Sequence, residues 1–413
     1  MISIAKALDL VQDAVRPLGT ESVPLPEASG RILARDLRAP FDVPGFANSQ
    51  MDGFAVRSAD LASAREGAPA VLRVVGTIAA GRPRDEPLAD GTAVRIMTGA
   101  PLPSGADAVV PVEEAEADPD SVSFVAPCPS GRFVRAAGED LRRGEVVLAC
   151  GRLLRAADIG LLASIGSAEV PVSRRPRVAI LGTGDELVPL GEPLAPGQIH
   201  DSNAYTLAAA VEELGGVPDR MGIVRDDRES LRRALAEAAT YDAVLSTGGV
   251  SVGDFDHVKE VMDEIGLERR FWRVAQKPGK PITFAAQEGC LYFGLPGNPV
   301  SALVCFLLYV APALRAAQGR LDVYAPAIPV TVGEAVRTAR DLTELVRCTL
   351  ESRGEGPVVR PTGSQSSGVL RSLSLADALL VSPPGRAGFE AGEQASALHI
   401  RSRVALATSH PFS

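Results

Sequence analysis

A glycine turn at residues 244–256 joins an apolar segment to a helical pattern. The apolar run at 243–245 predicts a buried strand, and residues 256–265 predict a helix. Gly248 and Gly249 stand between them, and adjacent glycines permit positive φ and let the backbone approach a ligand closely. A strand, a glycine turn and a helix start form a common anion site, because free N–H groups and the helix dipole point at the ligand.

The same turn carries polar side chains that suit a cation beside the anion. Ser251, Asp254 and Asp256 follow the two glycines within eight residues. Carboxylate oxygens and substrate phosphates together are typical ligands of Mg²⁺. An ordinary βα turn with a capping aspartate explains this stretch equally well, so the choice depends on the rest of the chain.

Alternating strands and helices from residue 177 predict a doubly wound parallel sheet. Three further strand ends carry polar or glycine-rich turns, at 182–186 with Glu186, at Asp226, and at 296–299. The last turn contains Pro296, Asn298 and Pro299. Ligands bind such sheets at the carboxyl ends of the strands, near the switch in strand order. We therefore predict a site for a phosphorylated, metal-bearing ligand, whereas motifs for ordinary NAD and P-loop ATP sites are absent.

Asp226 and a further candidate, the lysine-containing loop at 277–281, each have a simpler alternative explanation. Asp226, with Glu229 three residues later, also fits a loose capping box at a helix start. Residues 277–281 place Lys277 and Lys280 three apart between prolines, which predicts a stiff cationic loop or simply a solvated one. The flanking apolar strands favour the first interpretation.

The N-terminal half suggests an elongated α+β unit interrupted by a β-rich block. In that block Asp52 lies in a polar turn and Thr98 ends a strand, although an Asx turn explains Asp52 by local chemistry. Beyond residue 325, short alternating segments predict a barrel or sandwich, with Arg347 on a strand and a polar loop at 363–368. The predicted units are 1–45 with 136–175 (elongated), 46–135 (β insertion), 176–320 (α/β) and 325–413 (β-barrel).

Composition excludes several classes of protein. The net charge of −9 argues against a general nucleic-acid or membrane-surface binder. Five cysteines without CxxC spacing indicate a reducing, cytoplasmic environment and neither disulfides nor zinc. No signal peptide is recognised, and the apolar stretch 302–313 predicts a buried helix, too short to span a membrane.

Together these features resemble the MoeA family of molybdopterin molybdenumtransferases, which is related to the C-terminal part of gephyrin. The resemblance covers essentially the whole chain. It rests on six stretches in order, at residues 48–56, 94–100, 183–187, 246–256, 277–281 and 294–301. The middle unit alone is similar to MogA-type molybdopterin adenylyltransferases.

The resemblance implies a homodimer whose active site lies in the middle unit of one subunit and faces the β insertion and C-terminal unit of the other. It implies a reaction of adenylylated molybdopterin with molybdate that releases AMP, with Mg²⁺ as cofactor. A MogA-type adenylyltransferase and molybdoenzyme acceptors are the implied partners. Tungstate is not distinguished from molybdate, since the two oxyanions are nearly the same in size and charge.

The resemblance also implies roles for individual residues. Asp226 and Asp256 would hold Mg²⁺ or its waters, and Asp52, Thr98 and Glu186 would orient substrate or water. The resemblance implies that Lys277 is also catalytic. The residues implied to bind anionic substrate groups are Gly248, Gly249, Ser251, Arg273, Lys277, Lys280, Pro296, Asn298, Pro299, Arg347 and Ser367. Two other functions stay open, a non-catalytic gephyrin-like scaffold and a molybdopterin adenylyltransferase.

Overall fold

A computed structural model describes residues 1–225, 227–248, 261, 262, 264, 266–353 and 356–401 of the chain. At its centre is a six-stranded sheet with helices on both faces. The strands lie side by side in the order Val217–Val224, Arg177–Thr183, Ala243–Thr247, Cys290–Leu295, Thr283–Gln287 and Glu268–Trp272. Its described helices are Ser202–Glu213, Arg228–Ala238 and the long helix Pro299–Ala317.

The sheet is mixed, which corrects the prediction of a parallel sheet. Its first four strands run parallel, but Thr283–Gln287 and Glu268–Trp272 are antiparallel to their neighbours. Residues on Arg177–Thr183 alternate between two cores, since Val178 and Ile180 pack on one face and Ala179 and Leu181 on the other. Burial on both faces explains why the central strands Arg177–Thr183 and Cys290–Leu295 are apolar along most of their length.

The first helix, Ile4–Ala14, packs against this α/β unit. Ser3 caps it by accepting the Lys6 backbone N–H at 3.2 Å. Ala7 is fully buried in the same core as the long helix, and Ile2 bridges Val274 beside the sheet. The sequence pattern assigns these residues to the elongated unit, but the apolar face of the helix finds its complement on the α/β core.

The long helix contains one widened turn. Phe306–Val310 is π-helical, and the Ala311 N–H bonds to the Phe306 carbonyl. Pro312 has no N–H for the Leu308 carbonyl, and the wider turn accommodates this loss. By length and composition the 19-residue helix is able to cross a membrane, but 72% of the window is buried inside the protein, as in a core helix. The apolar stretch 302–313 lies inside this helix, which confirms the prediction of a buried helix there.

The elongated unit has its own core, formed from residues 23–43 and 141–172. Its strand pairs are Thr20–Pro24 with Glu169–Ser173 and Leu37–Arg38 with Val146–Leu148. Its helix is Ala156–Ser164, and Leu25–Glu27 forms a 3₁₀ turn. The chain leaves this core and returns to it, which matches the discontinuous pattern in the sequence.

The inserted block is a six-stranded sheet with an apolar cluster on each face. Its strands follow the order Ala108–Pro111, Gly53–Val56, Thr92–Ile96, Ala70–Ile78, Ser121–Phe124 and Glu116–Ala117. Asn48–Ser49 pairs with Val134–Arg135 where the chain enters and leaves the block.

The C-terminal unit is a closed barrel of five strands. They pair in the order Thr343–Arg353, Gly356–Pro361, Ala327–Val332, Gln394–His399 and Ala378–Ser382, and the last pairs back with the first. Helix Leu370–Ser374 and the pair Val336–Arg337 with Gly388–Phe389 complete it. Gln276–Lys277 of the α/β unit adds to the barrel beside Thr343–Glu344, so the two units share a strand pairing.

Candidate active site

The switch in strand order lies between Arg177–Thr183 and Ala243–Thr247, because the chain's second strand pairs on the opposite side of the first. At their carboxyl ends the Thr183 hydroxyl donates to the Thr247 carbonyl at 3.1 Å. Gly248 follows with φ of +86°, and a Cβ there would lie 2.2 Å from the Thr183 carbonyl oxygen. Only glycine fits this backbone approach.

A second turn, at residues 296–299, packs against Gly248. The Gly248 N–H donates to the Leu295 carbonyl at 3.3 Å. Asn203 holds the turn through its Nδ2, which donates to the Gly297 carbonyl at 2.7 Å. Asn298 is the N-cap residue of the long helix but makes no side-chain cap bond. The structure thus brings Gly248, Pro296 and Asn298 together as the sequence predicts.

Beside these turns an open cavity of about 650 Å³ lies between the α/β unit and the barrel. The α/β unit contributes the cationic loop and the helix start, and the barrel contributes the polar loop after Gly363. Its lining residues are Gln276, Lys277, Pro278, Gly279, Lys280, Pro281, Pro296, Asn298, Ser301, Leu342, Gln365, Ser366 and Ser367. Lys277, Lys280, Ser367 and the 296–299 turn, predicted separately, therefore face one space.

The cationic loop at 277–281 is held from its buried side. Three consecutive carbonyls accept bonds there: Pro278 from Gln276 Nε2 at 3.0 Å, Gly279 from Cys305 Sγ at 3.6 Å, and Lys280 from the Val274 N–H at 3.1 Å. Both lysine side chains remain exposed. Lys277 Nζ lies 2.9 Å from Glu344 Oε1, with its side chain 52% exposed and that of Glu344 only 6%.

Arg347 lies behind the polar loop of the barrel. The residue is 1% exposed, and burial lowers the pKa of its guanidinium. Its Nε donates to Ser372 at 2.8 Å, and its Nη2 donates to the Ser364 and Ser366 carbonyls at 3.2 Å each. These bonds shape the loop that presents Ser366 and Ser367 to the cavity. Nε and Nη2 of Arg347 are thus bonded within the barrel, and an anion contact of this side chain stays a prediction.

Asp52 and Thr98 come together at the end of the inserted sheet. Asp52 Oδ1 accepts the Thr98 N–H at 2.6 Å and the Thr98 hydroxyl at 2.7 Å. These bonds lower the pKa of the Asp52 carboxyl, with the backbone N–H of Thr98 as the largest cause. Both residues are exposed, and neither is among the residues that line the 650 Å³ cavity of the same chain.

Glu186 and Arg273 also lie outside the lining of that cavity. Glu186 is exposed, and its carboxylate folds over Gly184, where a Cβ would lie 2.5 Å from Oε2. Arg273 has φ of +71°, and its guanidinium stacks on the Trp272 ring at 4.2 Å. Its carbonyl accepts the Ile2 N–H at 3.4 Å, so the N-terminal segment contacts this position.

Four predicted site residues lie outside the described part of the chain: Asp226, Gly249, Ser251 and Asp256. The alternative role of Asp226 as a helix cap is wrong, because Asp227 caps Arg228–Ala238 by accepting the Ser230 N–H at 2.8 Å. Among the residues that the structure describes, no group of three or more His, Cys, Asp or Glu side chains could hold a metal ion.

Sequence reasoning missed Gln276, Gln365 and Tyr309. Gln276 is fully buried, and its only sequence signal was its position directly before the cationic loop. Tyr309 lies 33 residues away on the long helix and donates to Gln276 Oε1. No local pattern connects residues that far apart.

Comparisons with known proteins agree with this architecture. The MoeA N-terminal region (domain I and II) matches residues 2–166, a probable molybdopterin binding domain matches 179–316, and the MoeA C-terminal region (domain IV) matches 329–400.

Full-length relatives agree as well. The chain is 35% identical to the molybdopterin molybdenumtransferase of Staphylococcus aureus, covering 95% of this chain and 94% of the relative. It is 38% identical to that of a Nostoc species, covering 97% and 92%. A crystal structure of a molybdopterin biosynthesis MoeA protein from Pyrococcus horikoshii superimposes with a TM-score of 0.85 at 34% identity, covering 98% of this chain and all of the other. The chain therefore belongs to the MoeA family.

Proposed function

We propose that this protein is a molybdenum insertase that acts in molybdenum cofactor biosynthesis. It transfers molybdenum from molybdate to the dithiolene of adenylylated molybdopterin and releases AMP. Family membership supports the reaction class. The observation that carries the proposal is the cavity in which Lys277, Lys280, Asn298 and Ser367 converge beside the strand-order switch.

The cavity suits anionic substrates. Molybdate and the nucleotide phosphates carry negative charge, and two exposed ammonium groups donate charge-assisted hydrogen bonds to such oxygens. The long helix begins at the cavity with Pro299, so its dipole adds positive potential there. The Val300 N–H is already bonded to the Ser367 carbonyl at 3.2 Å, which links the barrel loop to this helix start.

The chemistry requires no covalent protein nucleophile, since the sulfurs that receive molybdenum belong to the substrate. The protein binds and orients the two anions. Water attacks the adenylyl phosphorus, so the phosphate–phosphate bond breaks, the molybdopterin phosphate leaves and AMP is freed. The two dithiolene sulfurs bond to molybdenum while one molybdate oxygen leaves as water with the two thiol protons, so molybdenum keeps its oxidation state. Mg²⁺ remains a proposed cofactor that would neutralise phosphate charge. The carboxylates proposed to hold it, Asp226 and Asp256, lie outside the described residues.

Asp52 and Thr98 support a site shared between two subunits. They form an exposed, preorganised pair outside the cavity of their own chain. In a homodimer, the Asp52 of one subunit would complete the cavity of the other. Mixing Asp52→Asn and Lys277→Ala subunits tests this, because a heterodimer would have one intact site and one doubly altered site. Random mixing should restore about a quarter of wild-type activity, and no restoration would refute a shared site.

The proposed setting is the cytoplasm, with an adenylyltransferase as the source of substrate and molybdoenzymes as acceptors. The decisive experiment measures AMP release from adenylylated molybdopterin, with and without molybdate. Wild type should show molybdate-dependent release, Lys277→Ala and Asp256→Ala should lose most of it, and Lys6→Ala should retain it as the matched lysine control. Absence of release from wild type would favour the scaffold. AMP incorporation from ATP and molybdopterin alone would favour the adenylyltransferase.

A further inference from the structure

Beneath the cationic loop lies a buried polar cluster formed by Gln276, Cys305 and Tyr309. All three side chains are fully buried. The Tyr309 hydroxyl donates to Gln276 Oε1, and Gln276 Nε2 lies 3.6 Å from Cys305 Sγ. Burial raises the pKa of the Cys305 thiol and of the Tyr309 hydroxyl, which keeps both groups neutral hydrogen-bond donors.

The cluster is bonded directly to the loop backbone. Gln276 Nε2 donates to the Pro278 carbonyl at 3.0 Å, and Cys305 Sγ donates to the Gly279 carbonyl at 3.6 Å. Buried polar groups are costly unless they are bonded, so a cluster of this kind fixes the groups that satisfy it. These two carbonyls lie between Lys277 and Lys280, whose ammonium groups face the cavity.

The π-helical turn explains how Tyr309 reaches this position. The turn Phe306–Val310 widens the long helix between Cys305 and Pro312. An inserted residue rotates the residues that follow it relative to the first part of the helix, and π turns occur often at functional sites. Here Cys305, directly before the turn, and Tyr309, within it, both contact Gln276.

We propose that Gln276, fixed by Tyr309 and Cys305, is a positioning residue that sets the positions of Lys277 and Lys280 at the 650 Å³ cavity proposed to bind molybdate. The inference rests on the proposed function for the identity of the anion, but the hydrogen bonds that hold the loop are independent of it. Gln276 is fully buried beneath the loop, so it acts through the carbonyl of Pro278 and the backbone on either side of it.

The test compares Tyr309→Phe with Tyr292→Phe. Tyr292 is a matched control, because its buried hydroxyl also has one partner, Ser246 Oγ at 2.5 Å, but belongs to the core on the other face of the sheet. Gln276→Met is a second variant that removes both polar ends of the amide. Hydrogen exchange of the segment 273–282 gives a readout without ligand, since the Val274 N–H is bonded to the Lys280 carbonyl.

We expect Tyr309→Phe to accelerate exchange in this segment about three- to tenfold, as expected for loss of one buried hydrogen bond, while Tyr292→Phe leaves it unchanged. Gln276→Met should accelerate exchange further, because it removes the bonds to both the Tyr309 hydroxyl and the Pro278 carbonyl. In the AMP-release assay the half-saturating molybdate concentration should rise by a similar factor, with kcat within about twofold of wild type. Equal exchange in both tyrosine variants, or faster exchange with an unchanged molybdate requirement, would overturn the inference.

Failure of the insertase proposal is distinguishable from failure of this one. If wild type releases no AMP, calorimetric titration with molybdate alone replaces the kinetic measurement. Weaker molybdate binding by Tyr309→Phe than by Tyr292→Phe would still support the positioning role. Identical binding, or no binding by wild type, would refute it.

Discussion

Gly279→Ala tests how tightly the cationic loop is packed onto the long helix. Gly279 has φ of +87°, and a Cβ there would lie 2.4 Å from Cys305 Sγ and 2.8 Å from Gln276 Nε2. Gly289, in the turn between Thr283–Gln287 and Cys290–Leu295, offers a matched control, with φ of +84° and no heavy atom within 4 Å of the Cβ that alanine would add. The two substitutions therefore share the conformational cost and differ in the contact.

The magnitudes follow from these two terms. An alanine in the left-handed region costs about 1–2 kcal/mol, which is the whole effect expected for Gly289→Ala. Forcing a methyl group into a packed core adds about 1–3 kcal/mol, so Gly279→Ala should lose about 2–5 kcal/mol in total. Cys305→Ala in the Gly279→Ala background removes the closest atom and should recover most of the added term, a favourable coupling of about 1–3 kcal/mol.

The assay uses the single tryptophan of the chain, Trp272, which lies at the end of an edge strand of this sheet. Urea unfolding followed by its fluorescence reports on the α/β unit, which matters because a multidomain chain need not unfold in one step. Equal losses for Gly279→Ala and Gly289→Ala would refute the packing argument. So would a double variant whose loss equals the sum of the losses measured for Gly279→Ala and Cys305→Ala alone.

Three further outcomes are expected. Gly248→Ala should lower AMP release by at least about tenfold, since its Cβ would lie 2.2 Å from the Thr183 carbonyl oxygen and the backbone must shift; near-normal activity would contradict this. Thr98→Val should raise the pKa of Asp52, measured by carboxyl ¹³C titration, because it removes the hydrogen bond from the Thr98 hydroxyl. Since the pKa of Asp52 is lowered in the folded protein, the stabilisation that this pair contributes is present at neutral pH and is lost as the pH falls through that pKa. Arg347→Lys should lose about 1.5–3 kcal/mol of stability and raise the molybdate requirement, because lysine cannot reproduce the bonds to Ser372 and two loop carbonyls; thermal unfolding and AMP-release kinetics check both.

Local patterns predicted most elements, because they depend on neighbouring residues. The strand Ala243–Thr247 and the buried helix that contains residues 302–313 are examples, because each was predicted from a run of apolar residues. The antiparallel edge of the sheet was missed although it had a local signal. Only two residues, Glu288 and Gly289, separate the paired strands, and a two-residue connection with glycine is typical of a hairpin.

The same distinction between local and distant signals applies to the candidate site. Lys277, Lys280 and Asn298 were predicted as site residues because turns at strand ends mark the ligand edge of such a sheet. Burial of a polar residue is not visible in sequence, so the burial of Arg347 was not predicted and Gln276 was overlooked. Both depend on partners distant in the chain, Arg347 on Ser372 and Gln276 on Tyr309.

The docking of the first helix on the α/β core has a consequence for biosynthesis. Ile2 bridges Val274, and Leu18 donates its N–H to the Ala317 carbonyl. During translation this helix is made some 300 residues before the long helix completes its binding surface. At elongation rates of about 5–20 residues per second, its apolar face is therefore without its native partner for roughly 15–60 seconds. Chaperones that recognise short amphipathic segments are expected to bind this helix on nascent chains, and ribosome profiling of chaperone-bound complexes would detect it.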